Sequence, residues 1–200
     1  MSQKTLKKLE ILFLDKNGSF LDSQLRIAGL YLIAFEMLKD SMRHIIISLN
    51  SCPEIHNGKV VNITSDGVPI EEADRYQKLL KGKKSYQNQV RYLLENSIIT
   101  KDDSELLLEW LTPNFRNDVA HRLIKHLIDD TQPVLDLLYV KCLSAIIFRI
   151  ENWWIKNIEA AIDPETYEQY PPDSLDTAAS MAWHILQTLV ARVEKTIPSV

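Results

Sequence analysis

Two side chains able to manage a phosphate ester stand five residues apart, Arg116 and His121, in the run Arg116-Asn117-Asp118-Val119-Ala120-His121. A guanidinium offers phosphate a planar fork of donors, and an imidazole moves protons near neutral pH. Together they are the minimum equipment for cutting RNA without a metal. Arg116 would hold the scissile phosphate and stabilise the charge that builds on it. His121 would take the proton from the 2′-OH or deliver one to the leaving 5′-oxygen, leaving a 2′,3′-cyclic phosphate and a 5′-hydroxyl end. Asn117 lies four residues before His121, on the same helical face, and can hydrogen-bond the imidazole or the turn backbone. Asp118 is three before His121 and four before Arg122 and can orient either. The backbone amides around 115–118, at the start of a helix, add a preference for an anion.

The spacing carries a geometric problem. At ~100° per residue, Arg116 and His121 point ~140° apart on a continuous helix. A shared site therefore needs Arg116 at a frayed helix start, or a second copy of the motif from another subunit.

The elements that must position these groups read as helices. Apolar residues recur at helical spacing from Ser23 to Leu49 (Leu25, Leu32, Phe35, Met42, Ile45, Ile46, Leu49), and Cys52-Pro53 closes the run. Thr5–Asp15 reads as a short amphipathic helix before an Asn17-Gly18 turn. Residues 51–70, with Pro53, Asn57-Gly58, Asp66-Gly67 and Pro69, read as an irregular inserted loop in which Val60, Val61 and Ile63 can form a short strand or hairpin. Helices follow over Glu71–Lys81 and from Tyr86 to about Ser97. Thr100 with Asp103 resembles a capping box for a helix carrying Leu106, Leu107, Trp110 and Leu111. The motif helix spans Asn114 to about Asp130, and the next runs from Pro133 to about Ile158, with Leu135, Leu138, Leu143, Ile146, Ile147, Ile150 and Trp154 along its seam. After a proline-containing break at 160–173, Ser174 is expected to cap a last helix packed through Leu175, Ala178, Ala182, Ile185, Leu189 and Val193. The summed expectation is all-α: one up-down helical bundle over residues 1–200 with one irregular loop insertion.

With 46% hydrophobic and 25% charged residues, the composition is that of a globular chain, and only 5 Gly argue against a turn-rich all-β fold. A net charge of −4 excludes a wholesale basic coat for nucleic acid but leaves room for a local patch. Such a run exists: Arg75, Lys78, Lys81, Lys83, Lys84 and Arg91 have no acid between them and are interleaved with Tyr76, Tyr86 and Tyr92. It can track a phosphate backbone and stack bases, or dock an acidic partner domain. Cys52 and Cys142 fit no ligand spacing and read as thiols of a reducing cytosol. No stretch approaches ~18 uninterrupted apolar residues, so neither a membrane span nor a membrane partner is expected. There is no Gly-rich phosphate loop, nucleophile elbow or C-x-x-C pair, and no metal cluster or cofactor is expected.

Arg116-Asn117-x-x-x-His121, at the start of a helix in such a bundle, resembles the signature of the HEPN superfamily, small α-helical proteins of which many are ribonucleases in toxin–antitoxin, abortive-infection and CRISPR-associated systems. The long first helix with Glu36 in the aliphatic setting Ala34-Phe35-Glu36, and the long apolar helix after the histidine, are similar too. The resemblance covers about residues 20–160. Arg122 departs from it, since many relatives have glycine there. It implies a homodimer whose two motifs converge at a cleft, RNA as substrate, no cofactor, and an antitoxin or regulatory protein as a further partner. In that arrangement Arg116, His121 and Asn117 are the catalytic set and Asp118 and Glu36 support it. Lys78, Lys81, Lys83, Lys84, Arg91 and Arg122 supply RNA contacts. Glu36 can instead be a boundary residue paired with Arg43 or Lys39. Some members of the superfamily are non-catalytic modules that bind a protein or nucleic acid.

Overall fold

The computed structural model describes residues 19–56, 59–128 and 135–196, and the fold is mostly helical. Helix α1 spans Ser19–Asn50; a hairpin of β1 (Cys52–His56) and β2 (Lys59–Ile63) follows. Then come α2 (Asp74–Leu80), α3 (Ser85–Glu95), α4 (Lys101–Glu109), α5 (Pro113–Ile128) and α6 (Leu137–Trp154). A π-helical stretch, Ile155–Glu159, continues α6 into two short helical pieces and a 3-10 turn, Pro172–Thr177, before α7 (Met181–Thr196). The expected helix at Thr5–Asp15, the Asn17-Gly18 turn and the start at Pro133 lie outside the described residues. Among the described residues no helix is long and apolar enough to cross a membrane.

The chain divides into two compact units. One comprises Met1–Glu36, Leu111–Ala145 and Ser180–Val200, as far as they are described; the other comprises Met37–Trp110 and Ile146–Ala179. The core of the first is built from Ile27, Tyr31, Phe35, Val119, Leu143 and Val190, all buried. It is tied by Lys141 to Glu194 (2.6 Å) and by the Trp183 indole, which donates to the Ser144 carbonyl (2.9 Å). In the second unit, Ile46, Ile70, Ala73, Tyr76 and Leu80 pack together, and the Tyr76 hydroxyl donates to Asn50 Oδ1 (2.8 Å).

Four expectations need correction. First, the insertion is not irregular over residues 52–63, where the strand or hairpin expected around Val60, Val61 and Ile63 is present. These residues form an antiparallel hairpin with Cys52 opposite Ile63 and Ile55 opposite Val60, closed onto Pro69 by a bridge at Ile63. The β-branched residues prevail over the turn formers, and Pro53 is tolerated because a two-stranded sheet has only edges.

Second, the last helix starts at Met181 rather than Ser174. Asn152 donates its side-chain amide to the carbonyls of Leu175 (2.5 Å) and Ala178 (2.9 Å), holding that stretch out of a helix, and the Ser180 hydroxyl receives the amide of Trp183 (3.1 Å) as the cap. Third, the buried stripe of α7 is therefore Leu186, Val190 and Val193, while Ile185 is exposed; Leu138, placed in a seam by its spacing, is exposed as well, and so is Trp110. Fourth, Tyr76 and Tyr86 are buried core residues, so they offer no stacking surface to bases.

The Thr100 capping box is present. The Thr100 hydroxyl receives the Asp103 amide (3.1 Å) and the Asp103 carboxylate receives the Thr100 amide (3.0 Å). The same buried carboxylate binds the Arg149 guanidinium through two nitrogens, Nε at 2.8 Å.

Candidate active site

Arg116 is positioned by the way α5 begins. Thr112 precedes Pro113, a proline at the first helical position whose missing amide hydrogen would have had no partner there. The Thr112 hydroxyl receives the amide of Phe115 (3.2 Å) and its carbonyl receives the amide of Arg116 (3.0 Å). Arg116 is thus already in helical backbone rather than at a frayed end. The ~140° separation from His121 stands, and one chain does not aim the two groups at a common point.

The Arg116 guanidinium is held by its neighbours. Nη2 pairs with Glu36 Oε1 at 2.8 Å, and Nη1 donates to Asn117 Oδ1 at 3.2 Å. Its side chain is 29% exposed and that of Glu36 43%, so the pair sits at the edge of solvent. Glu36 touches the motif arginine, and Arg43, one of the alternative partners expected for it, pairs with Glu71 (2.5 Å). Asn117 is engaged with Arg116 rather than with the imidazole. His121 is exposed and has no hydrogen-bond or ion-pair partner among the described residues. Asp118 is half-buried.

Behind Arg116 lies an aromatic wall with no counterpart in the sequence reading. Phe115 packs edge-on to Tyr31 (ring centroids 5.3 Å apart) and at a tilt against Tyr139 (5.5 Å). Tyr31 is fully buried, and its hydroxyl, like Nε of Arg116, is buried without a hydrogen-bond partner among the described residues. Burial pushes the Tyr31 phenol well above the usual tyrosine range; Tyr139 adds to this and the Arg116 charge opposes it. The signal for Tyr31 was present in its place five residues before Glu36 on one helix, but tyrosine in an apolar stripe reads as packing.

The unpartnered Tyr31 hydroxyl has a measurable consequence. Above pH ~10 the unfolded chain gives up this proton while the folded one keeps it, so the folded state binds more protons and stability falls as pH rises. Tyr31→Phe should unfold at the same temperature as wild type at neutral pH, or slightly higher because the orphan hydroxyl is gone. It should lose less stability between pH 9 and 11. A steeper alkaline loss in Tyr31→Phe, followed by circular dichroism, contradicts this assignment.

In the second unit, Lys78 on α2, Lys81, Lys83 and Lys84 at the α2–α3 turn and Arg91 on α3 are all exposed. Gly82, at φ +99°, supplies the left-handed backbone this turn requires. Lys81 is drawn toward Glu71 at 3.7 Å. The patch is therefore a row of cations without the Tyr76 and Tyr86 rings expected between them, and Tyr92 is half-buried. Of the side chains of Arg75 and Arg122 nothing is described. Among the described residues no group of three His, Cys, Asp or Glu side chains is placed to hold a metal ion. Comparisons of the chain with protein-family models, with curated proteins and with solved structures found no match.

Proposed function

We propose that the chain is a HEPN-like, metal-independent endoribonuclease of the toxin or antiphage-effector kind, active in the cytoplasm as a homodimer. The observation that carries this reading is the paired, partly exposed Arg116 guanidinium beside the start of α5, with His121 presented to solvent by the same helix. Glu36 and Asn117 fix where the guanidinium points, so phosphate positioning is built into the protomer. The proton-transfer group stays free to reach a substrate held by a second protomer. The transesterification needs no water and no metal: the 2′-oxygen forms the new bond to phosphorus, and the 5′-oxygen leaves with a proton. Arg116 stabilises the equatorial charge, and His121 of the opposing motif moves the proton. The exposed lysines at the α2–α3 turn supply further cations for the RNA backbone, and the same patch suits an acidic antitoxin.

One observation favours a second reading, a non-catalytic module that binds protein or nucleic acid. Both terminal nitrogens of Arg116 already have partners, as in a purely structural ion pair. Purified chain incubated with total RNA in EDTA separates the two. Cleavage leaving 2′,3′-cyclic phosphate ends is expected, and RNA that stays intact with the wild-type chain selects the second reading.

A further inference from the structure

Helices α2 and α3 pair through a short turn and carry an exposed array of cations. From Arg75 to Leu94 the chain has no acidic residue. Lys78, Lys83, Lys84 and Arg91 are exposed there and have no ion pair among the described residues. Lys81 is set aside, because Glu71 draws it in together with Arg43. Asp74 lies one turn before Lys78 and Glu95 one turn after Arg91, so acids bound the array at its far ends.

The two helices are held in register at the surface. The Asn88 side-chain amide donates to the Lys78 carbonyl (2.9 Å), an exposed bond, and the Gln89 side-chain amide donates to the Leu79 carbonyl (2.8 Å). Asn88 stands between Lys84 and Arg91, so the last turn of α2 lies abreast of the middle of that stretch. Lys84 and Arg91 are about two turns apart, ~10 Å along the axis. Lys78 begins a second row one helix spacing away, ~8–10 Å, and Lys83 joins the two rows at the turn.

We propose that this surface binds a nucleic-acid double helix by its phosphates. Three features select that occupant. Two rows at this separation suit phosphates on opposite sides of one groove, ~6–12 Å across in B-form DNA, whereas a single strand offers one backbone. Next, the array acts by charge alone. Single-strand binders add rings on which bases stack, but Tyr76 and Tyr86 are buried, and the half-buried Tyr92 has its hydroxyl engaged by Asn50 (2.7 Å). A duplex carries its charges at ~1.7 Å intervals along the axis against ~3.4 Å for one strand, so pure charge attraction favours the duplex. Finally, a protein partner, even an acidic one, needs an apolar centre to its interface. Among the described residues between 74 and 95 no large apolar side chain is exposed. The proposal rests on the nucleic-acid reading of these cations and not on the chemistry at His121.

Fluorescence anisotropy tests it, with the full His121→Ala chain used so that RNA is not cut. The probes are a labelled blunt RNA duplex, the DNA duplex of the same sequence and one RNA strand alone, with polyglutamate as competitor. A duplex should bind about tenfold or more tightly than the single strand. Either duplex bound in this way supports the surface, and the tighter of the two names the helix form it meets. Lys83→Glu combined with Lys84→Glu should weaken duplex binding about tenfold or more. Thermal unfolding should not fall, since both side chains are exposed and a carboxylate suits the start of α3. A single strand bound as tightly as the duplex overturns the proposal, and so does a charge-reversed chain that keeps its affinity. Polyglutamate that displaces the duplex at equal charge concentration also overturns it and assigns the surface to an acidic protein. If duplexes bind as expected while wild-type protein cuts no RNA, the ribonuclease reading fails and this surface stands. If RNA is cut and no duplex is preferred, the reverse holds.

Discussion

RNA incubated with the His121→Ala protein in EDTA should persist long after wild-type protein has degraded it, a rate loss of ~10²–10⁴-fold for removal of a general acid–base group. The argument depends on where the side chain sits. His121 is exposed and unpartnered among the described residues, so its removal leaves no cavity and no orphaned group. Its effect on stability should stay within about 0.5 kcal/mol. Unchanged thermal unfolding together with lost cleavage assigns the loss to chemistry. Arg116→Ala should also stop cleavage, but it breaks the ion pair with Glu36 and removes a half-buried side chain, so it should unfold at a lower temperature. Mixing the two inactive proteins should restore part of the rate if the site is shared between protomers. Full-rate cleavage by His121→Ala would sink the catalytic assignment.

The largest stability effect is expected in the other unit. Asp103 is 4% exposed and its carboxylate serves three partners: the amide and hydroxyl of Thr100 and the guanidinium of Arg149. Asp103→Ala removes the side chain that completes the α4 cap, about 1 kcal/mol by itself, and leaves the donors of the exposed Thr100 to water. It also breaks an ion pair whose arginine is 42% exposed and can turn to water, so that part is smaller than for a fully buried pair. The sum should be ~2–4 kcal/mol by denaturant titration. Asp103→Asn keeps a capping oxygen and should cost less. A loss under ~0.5 kcal/mol for Asp103→Ala contradicts the weight given to this carboxylate.

Much of this framework was readable from residue order. The capping box at Thr100, the run of α1 and the helix carrying the motif follow from local chemistry, in which side chains satisfy the amides next to them. The motif helix starts at Pro113, one residue before the expected Asn114, and this places Arg116 in helical backbone. What escaped was tertiary. The Asn152 amide reaches two carbonyls more than 20 residues away and delays the last helix to Met181, and no periodicity contains that information. The exposure of Ile185 and Leu138 follows from which neighbours each helix meets, not from their spacing. At the site, spacing gave the ~140° divergence of Arg116 and His121 and left Glu36 between the motif and Arg43 or Lys39; only coordinates show its contact with Arg116. The aromatic wall of Tyr31, Phe115 and Tyr139 looks in sequence like any three core rings.

The Glu36 contact changes what binding at Arg116 would mean. A phosphate arriving there does not meet a bare cation with its shell of mobile ions. It displaces a carboxylate already in place, so the net gain is the difference between two anions for one guanidinium. The RNA phosphate still gives up its condensed cation when the guanidinium neutralises it, so Arg116 counts in the salt dependence like the lysines at the α2–α3 turn. Arg116→Ala should lower the slope of log affinity against log salt by about one, with a smaller loss of affinity than removal of an unpaired cation brings.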